Sequence, residues 1–195
     1  MFEPAIALLE FSSIATGIEA GDAMVKRAPV ERILSGTVQP GHYLDFVSGD
    51  VAPVEEALNA GRETGSADLR DTLFLPNVHP SVVTALAGEL QIQPVDALGV
   101  VETQTVASAI QAADAGVKGA EVNLLRLRLA DGLGGKGLVL FTGLVADVET
   151  AVEIGSAIAQ EKLLRQVIIS QLHDEMWQSV NRNGRFGGHF GWEAM

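Results

Sequence analysis

There is no cysteine among the 195 residues. Disulfides, thiolate nucleophiles and cysteine-ligated zinc or iron–sulfur centres are thereby excluded. Positive charge is also scarce: 13 Lys and Arg stand against 25 Asp and Glu, giving a formal net charge of −12. Phosphate backbones are held by clustered Lys and Arg, and none are clustered here, so non-specific nucleic-acid binding is not expected. No apolar run approaches membrane-spanning length. Residues 1–10 carry Glu3 and Pro4 and lack the basic start and apolar core of a secretory signal. Together these absences suit a cytosolic protein. Charged residues make up 19% against 47% hydrophobic, a sparse polar coat that points to oligomerisation.

What the chain does have is a repeat. Between residues 5–30 and 97–122, at an offset of 92, eleven of twenty-six positions are identical, among them Glu10 and Glu102, Asp22 and Asp114, and Lys26 and Lys118. The register resumes at an offset of 94, where Gly41, Leu44, Gly49, Val51, Val54 and Glu55 return as Gly135, Leu138, Gly143, Val145, Val148 and Glu149, and His79 as His173. Identity that runs through core-type and surface-type positions alike marks two copies of one fold. The copies are read as residues 1–93 and 94–180, followed by a Gly-rich tail over 181–195 with Phe186, Phe190 and Trp192 spaced through it, predicted to be flexible.

Within copy one the pattern predicts a strand at 5–11 and a helix at 14–27 stopped by Pro29. Strands over 30–38 and 43–48, a helix from Val51 to about Gly65, a strand over 69–76 and a short helix after Pro80 follow. The order β-α-β-β-α-β predicts an α+β domain of the ferredoxin-like kind, an antiparallel sheet with both main helices on one face. Copy two repeats it from Asp96, with a connection two residues longer between its middle strands.

Several strings carry a family likeness: Ala-Leu-Leu-Glu-Phe (7–11), Gly-Asp-Ala-Met-Val-Lys (21–26), Gly-Asp-Val-Ala-Pro-Val (49–54), Ala-Ala-Asp-Ala-Gly-Val-Lys (112–118), Gly-Leu-Gly-Gly-Lys (132–136) and His-Asp-Glu-Met-Trp (173–177). In these the chain resembles bacterial microcompartment shell proteins of the tandem-domain, trimer-forming class, nearest the propanediol-utilisation type. The resemblance implies a flat pseudohexameric homotrimer that tiles with hexameric and pentameric shell proteins around encapsulated enzymes in the bacterial cytoplasm. It implies pore loops at 36–41 and 130–135, so that Thr37, Val38, Gln39, Pro40, Gly41, Asp131, Gly132, Leu133 and Gly134 line an opening for small polar metabolites. It implies tile-edge roles for Lys26, Lys118, His79 and His173. Two departures stand out. Propanediol-type relatives hold an iron–sulfur cluster through a cysteine at the position of Gln39, so no such cofactor is expected here. Many members also have an arginine just before the edge histidine, where this chain has Asn77-Val78 and Gln171-Leu172.

The residues also admit plainer readings. A Walker phosphate loop fails on spacing, since Ala130 takes the place of the required glycine and Gly137 follows Lys136. Gln39 reads as a ring of amides at an axis or as a solvated turn residue; Asp131 reads as a ring of charge or as an acceptor for local backbone amides. Lys26 and Lys118 also suit helix C-termini. The histidines have no metal-ligand spacing, and no nucleophile–base constellation occurs, so neither a metal nor an enzyme activity is expected. The competing reading is a tandem ferredoxin-like ligand-binding or enzymatic protein with its site between the copies.

Overall fold

The computed structural model describes residues 5–88 and 96–181. The linker residues 89–95 and the tail beyond Asn181 lie outside them. In copy one, Ser13 separates the first strand from the first helix. Its backbone is extended while its hydroxyl accepts from Thr16 N, satisfying one of the orphan donors of the helix start. Strand β1 is Ala5–Phe11 and helix α1 is Ile14–Arg27, both as predicted. Then come β2 (Arg32–Val38), β3 (His42–Gly49), α2 (Val51–Thr64), β4 (Leu69–Leu75) and α3 (Pro80–Leu86).

Copy two repeats the series as β5 (Ala97–Thr103), α4 (Val106–Gly119), β6 (Asn123–Leu129), β7 (Gly137–Gly143), α5 (Val145–Ala159), β8 (Leu163–Ile169) and α6 (Asp174–Asn181). Asn181, assigned from sequence to the tail, ends this helix. The sheets have the orders β2-β3-β1-β4 and β6-β7-β5-β8, antiparallel throughout, which is the split βαβ arrangement expected.

The loop around residue 39 is shorter than the pore loop over 36–41 that the resemblance implied, and β2 ends at Val38 as the strand pattern had it. Gly36, Thr37 and Val38 belong to β2 and pair with Leu44, Tyr43 and His42, so only Gln39–Gly41 lie outside the two strands. Thr37 pairs with Tyr43 as Leu129 pairs with Gly137, so residues 38–42 match residues 130–136 and the two extra residues fall in this connection.

Every residue of β1 is buried. Ala5, Ala7, Leu9 and Phe11 face α1 and α2 with Met24, Val54 and Leu58, while Ile6 and Leu8 on the opposite face join a core that includes Val106, Ile110 and Ala113 of α4. Alternation across a strand sends neighbours to opposite faces, so β1 ties together its own domain and the next one.

Candidate functional site

The two copies meet where α4 lies against sheet one. Leu73 of β4 and Val78 and Val82 around α3 are fully buried with Val106 and Ile110. Two carboxylates of copy one sit at the N-terminal end of α4. Glu10 Oε2 accepts from Val106 N at 2.9 Å, and Asp71 Oδ2 accepts from the hydroxyls of Ser108, at 2.7 Å, and of Thr105. A helix N-terminus carries partial positive charge and orphan N–H donors, so these anions are well placed.

Arg70 pairs with Glu10 Oε1 and donates to His42 Nδ1 at 2.7 Å. Burial pushes the Glu10 carboxyl above its ordinary value, against the pull of the Val106 amide and of Arg70. Burial, then the Arg70 charge, holds His42 below its ordinary value, so the neutral ring accepts a hydrogen bond from the arginine, which keeps its proton.

A second junction joins the two turns. Gly132 N donates to Gln39 Oε1 at 3.1 Å, and Gln39 N reaches Asp131 Oδ1 at 3.4 Å. The turns are packed tightly: a Cβ at Gly135, whose φ is +85°, would lie 2.9 Å from Gln39 O. The side-chain oxygen of Gln39 is therefore engaged by the other copy, and Asp131 serves a backbone amide, though one from the other copy's turn.

The four edge residues separate into two pairs. Lys118 Nζ binds Asp114 Oδ2 at 2.6 Å and the Asn77 carbonyl, while Asp114 Oδ1 accepts from His79 N at 2.8 Å. Lys118 and His79 thus come together at the seam between copies, a contact that the edge reading did not include. Among the described residues Lys26 is bound only to Asp22 on its own helix, its side chain 72% exposed. His173 is exposed and caps the start of α6 through Glu175 N, much as His79 caps α3 through Ser81 N.

Sequence reasoning missed Arg70, Asp71, Thr105 and Ser108. Matching the copies favours residues they share, whereas Arg70-Asp71 corresponds to Leu164-Arg165; the available signal was divergence inside a matched frame.

Like α+β domains packed side by side, with acids of one closing a helix start of the other, define a tandem-domain protein built for lateral packing. The BMC domain matches residues 5–78 and 97–172, and the chain belongs to that family. It is 42% identical over 178 residues to the bacterial microcompartment shell protein PduT of Citrobacter freundii, spanning 90% of this chain and 97% of that one. Among solved structures, a microcompartments protein from Desulfitobacterium hafniense aligns at 40% identity with a TM-score of 0.77, covering 91% and 99% of the two chains. The fused permuted hexameric shell protein MSM0275 of the RMM microcompartment shares the fold, at 18% identity and a TM-score of 0.58 over 80% of this chain and 81% of that one. The family read from the repeated motifs is the family found.

Proposed function

We propose that this chain is a structural, non-enzymatic component of a bacterial microcompartment shell, in which three copies close a flat ring of six domains around a central opening. One observation carries the ring: the apolar surface that joins the copies inside the chain occurs a second time, and there the described residues leave it exposed. Val106, Ile110 and Val117 of α4 correspond to Ile14, Ile18 and Val25 of α1, which are 39%, 56% and 42% exposed. Leu73 and Val82 correspond to Val167 and Met176, 38% and 50% exposed. Taking such a side chain from full exposure to full burial contributes about 1.5–3 kcal/mol; these five keep roughly half of that to gain, and together they favour association. A head-to-tail contact of this kind generates a ring when its rotation closes.

In this reading the copies divide as residues 1–93 and 94–180. The turn residues Gln39–Gly41 and Asp131–Gly134, with Thr37 and Val38 at the strand end, line the opening. Gln39 offers its Nε2 donors to small polar metabolites there, its oxygen being held by Gly132. No iron–sulfur cluster belongs to the opening, because a glutamine amide does not replace a thiolate and the chain has no cysteine. Lys26, Lys118, His79 and His173 serve the tile edge toward hexameric and pentameric shell proteins, with encapsulated enzymes beneath and the whole shell in the bacterial cytoplasm.

Native mass spectrometry tests this directly: the expected species is three chains of 20.5 kDa each, and electron microscopy should show six-lobed particles. Ile18→Asp, which sets a charge into the apolar contact, should release monomers. A wild-type protein that stays monomeric at every concentration overturns the reading.

A further inference from the structure

The open surface is a copy of the covered one in its apolar residues and a reversal of it in its charges. On the covered seam, position 71 is an aspartate that takes the Thr105 and Ser108 hydroxyls. Lys162 of copy two stands at the same end of α4, its carbonyl accepting from Gln104 N at 2.8 Å. At the offsets that relate the copies, Asp71 becomes Arg165, Lys162 becomes Asp68, and Thr105 and Ser108 become Ser13 and Thr16. Arg165 is exposed, two residues from the exposed Val167 and on the same face of β8. Asp68 already lies at the start of α1, where Thr16 Oγ1 donates to its Oδ2 at 2.6 Å. The hydroxyl equivalent to the one that touches Asp71 is thus bonded to the carboxylate of Asp68.

From this we infer that Arg165 of one protomer pairs with Asp68 of a second copy of this chain, in the position that Asp71 and the α4 hydroxyls occupy inside the chain. The inference rests on the ring reading above. Both positions have changed sign, so each seam keeps its own balance of charge. Glu102, the equivalent of Glu10, does not oppose Asp68, because Lys136 already holds it at 2.8 Å. Arginine is suited to the role, since its planar fork can grip a carboxylate that also keeps a hydroxyl donor.

The reversal also specifies which surfaces join. A copy-one sheet set against the start of α1 would bring Asp71 to Asp68, and a copy-two sheet set against the start of α4 would bring Arg165 to Lys162. Like charges disfavour both arrangements, and only the alternating order is matched.

The test is a charge exchange on the full chain, read by native mass spectrometry over a dilution series. R165D should raise the trimer dissociation constant about tenfold or more, and R165D/D68K should return it to within about threefold of wild type. Because D68K also removes the acceptor of Thr16, D68N serves as a second variant; it should weaken the trimer while leaving the far-ultraviolet spectrum unchanged. A wild-type trimer that is indifferent to R165D and to D68N, or a double variant no tighter than its worse parent, refutes the pair while leaving the ring standing. A wild type that never forms trimers removes both.

Discussion

Asp45 offers the sharpest test of how the two copies differ inside. It sits in the middle of β3, fully buried, with the Ser35 hydroxyl donating to Oδ1 at 2.5 Å and no hydrogen-bond partner for Oδ2 among the described residues. Burial raises its pKa from 3.8 to about 6, although the Ser35 bond works the other way. At 1.36 kcal/mol per pH unit, that rise makes the ionised side chain cost about 3 kcal/mol of stability. Because the folded protein holds the proton more tightly than the unfolded one, the cost is absent below pH 3.8, grows between the two values, and is complete above pH 6.

Asp45→Asn keeps the shape and the Ser35 acceptor but cannot ionise. Urea unfolding of both proteins at matched concentration, from about pH 4 to pH 7, should show the variant gaining about 3 kcal/mol on wild type across that interval. A stability difference that stays constant within about 0.5 kcal/mol over the range refutes the reasoning. The repeat supplies a control: copy two has Val139 at this place and Ala113 where copy one has Gly21, and a Cβ at Gly21 would lie 2.6 Å from Asp45 Oδ1. Gly21→Ala should therefore destabilise alone and be tolerated with Asp45→Val.

Three further outcomes follow from the seam and the turns. Glu10→Ala takes the carboxylate partner from Arg70 and the acceptor from the Val106 amide and should cost about 3 kcal/mol, read as a lower urea midpoint. Gln39→Ala removes the bond to Gly132 and should speed hydrogen exchange of that amide, at a stability cost of about 1 kcal/mol, with the oligomeric state unchanged. Lys118→Ala should lower the melting temperature because it frees the Asn77 carbonyl and Asp114 at the seam, whereas Lys26→Ala, whose partner is an exposed neighbour on the same helix, should leave it in place.

The fold was largely legible because its boundaries have local causes. Ser13 and Pro29 bracket α1, Pro53 sits in the first turn of α2, whose N-cap Asp50 makes no side-chain capping bond, and the two copies check one another. The strand after Pro29 starts at Arg32 rather than Val30, since Val30 N is taken by Ala28 O in a tight turn. Thr37 and Val38 read as strand from the pattern, and the β3 ladder holds them there, although the family resemblance counted them in the pore loop. The seam was harder to read. Whether Glu10 faces solvent or the start of a distant helix depends on how the domains dock, and nothing near residue 10 in sequence records that. The same holds for Gln39, whose engagement by Gly132 spans residues far apart in the chain.

Fusing the copies changes the arithmetic of ring closure. In the proposed ring, half of the six contacts form within a polypeptide, where dilution cannot separate the partners, so the yield of complete rings would depend on the cube of chain concentration rather than on a sixth power. It also frees the halves to drift apart in sequence, because a substitution in one appears three times around the circle instead of six. Asp45 facing Gly21 in one half and Val139 facing Ala113 in the other is the kind of difference that strict sixfold symmetry would forbid.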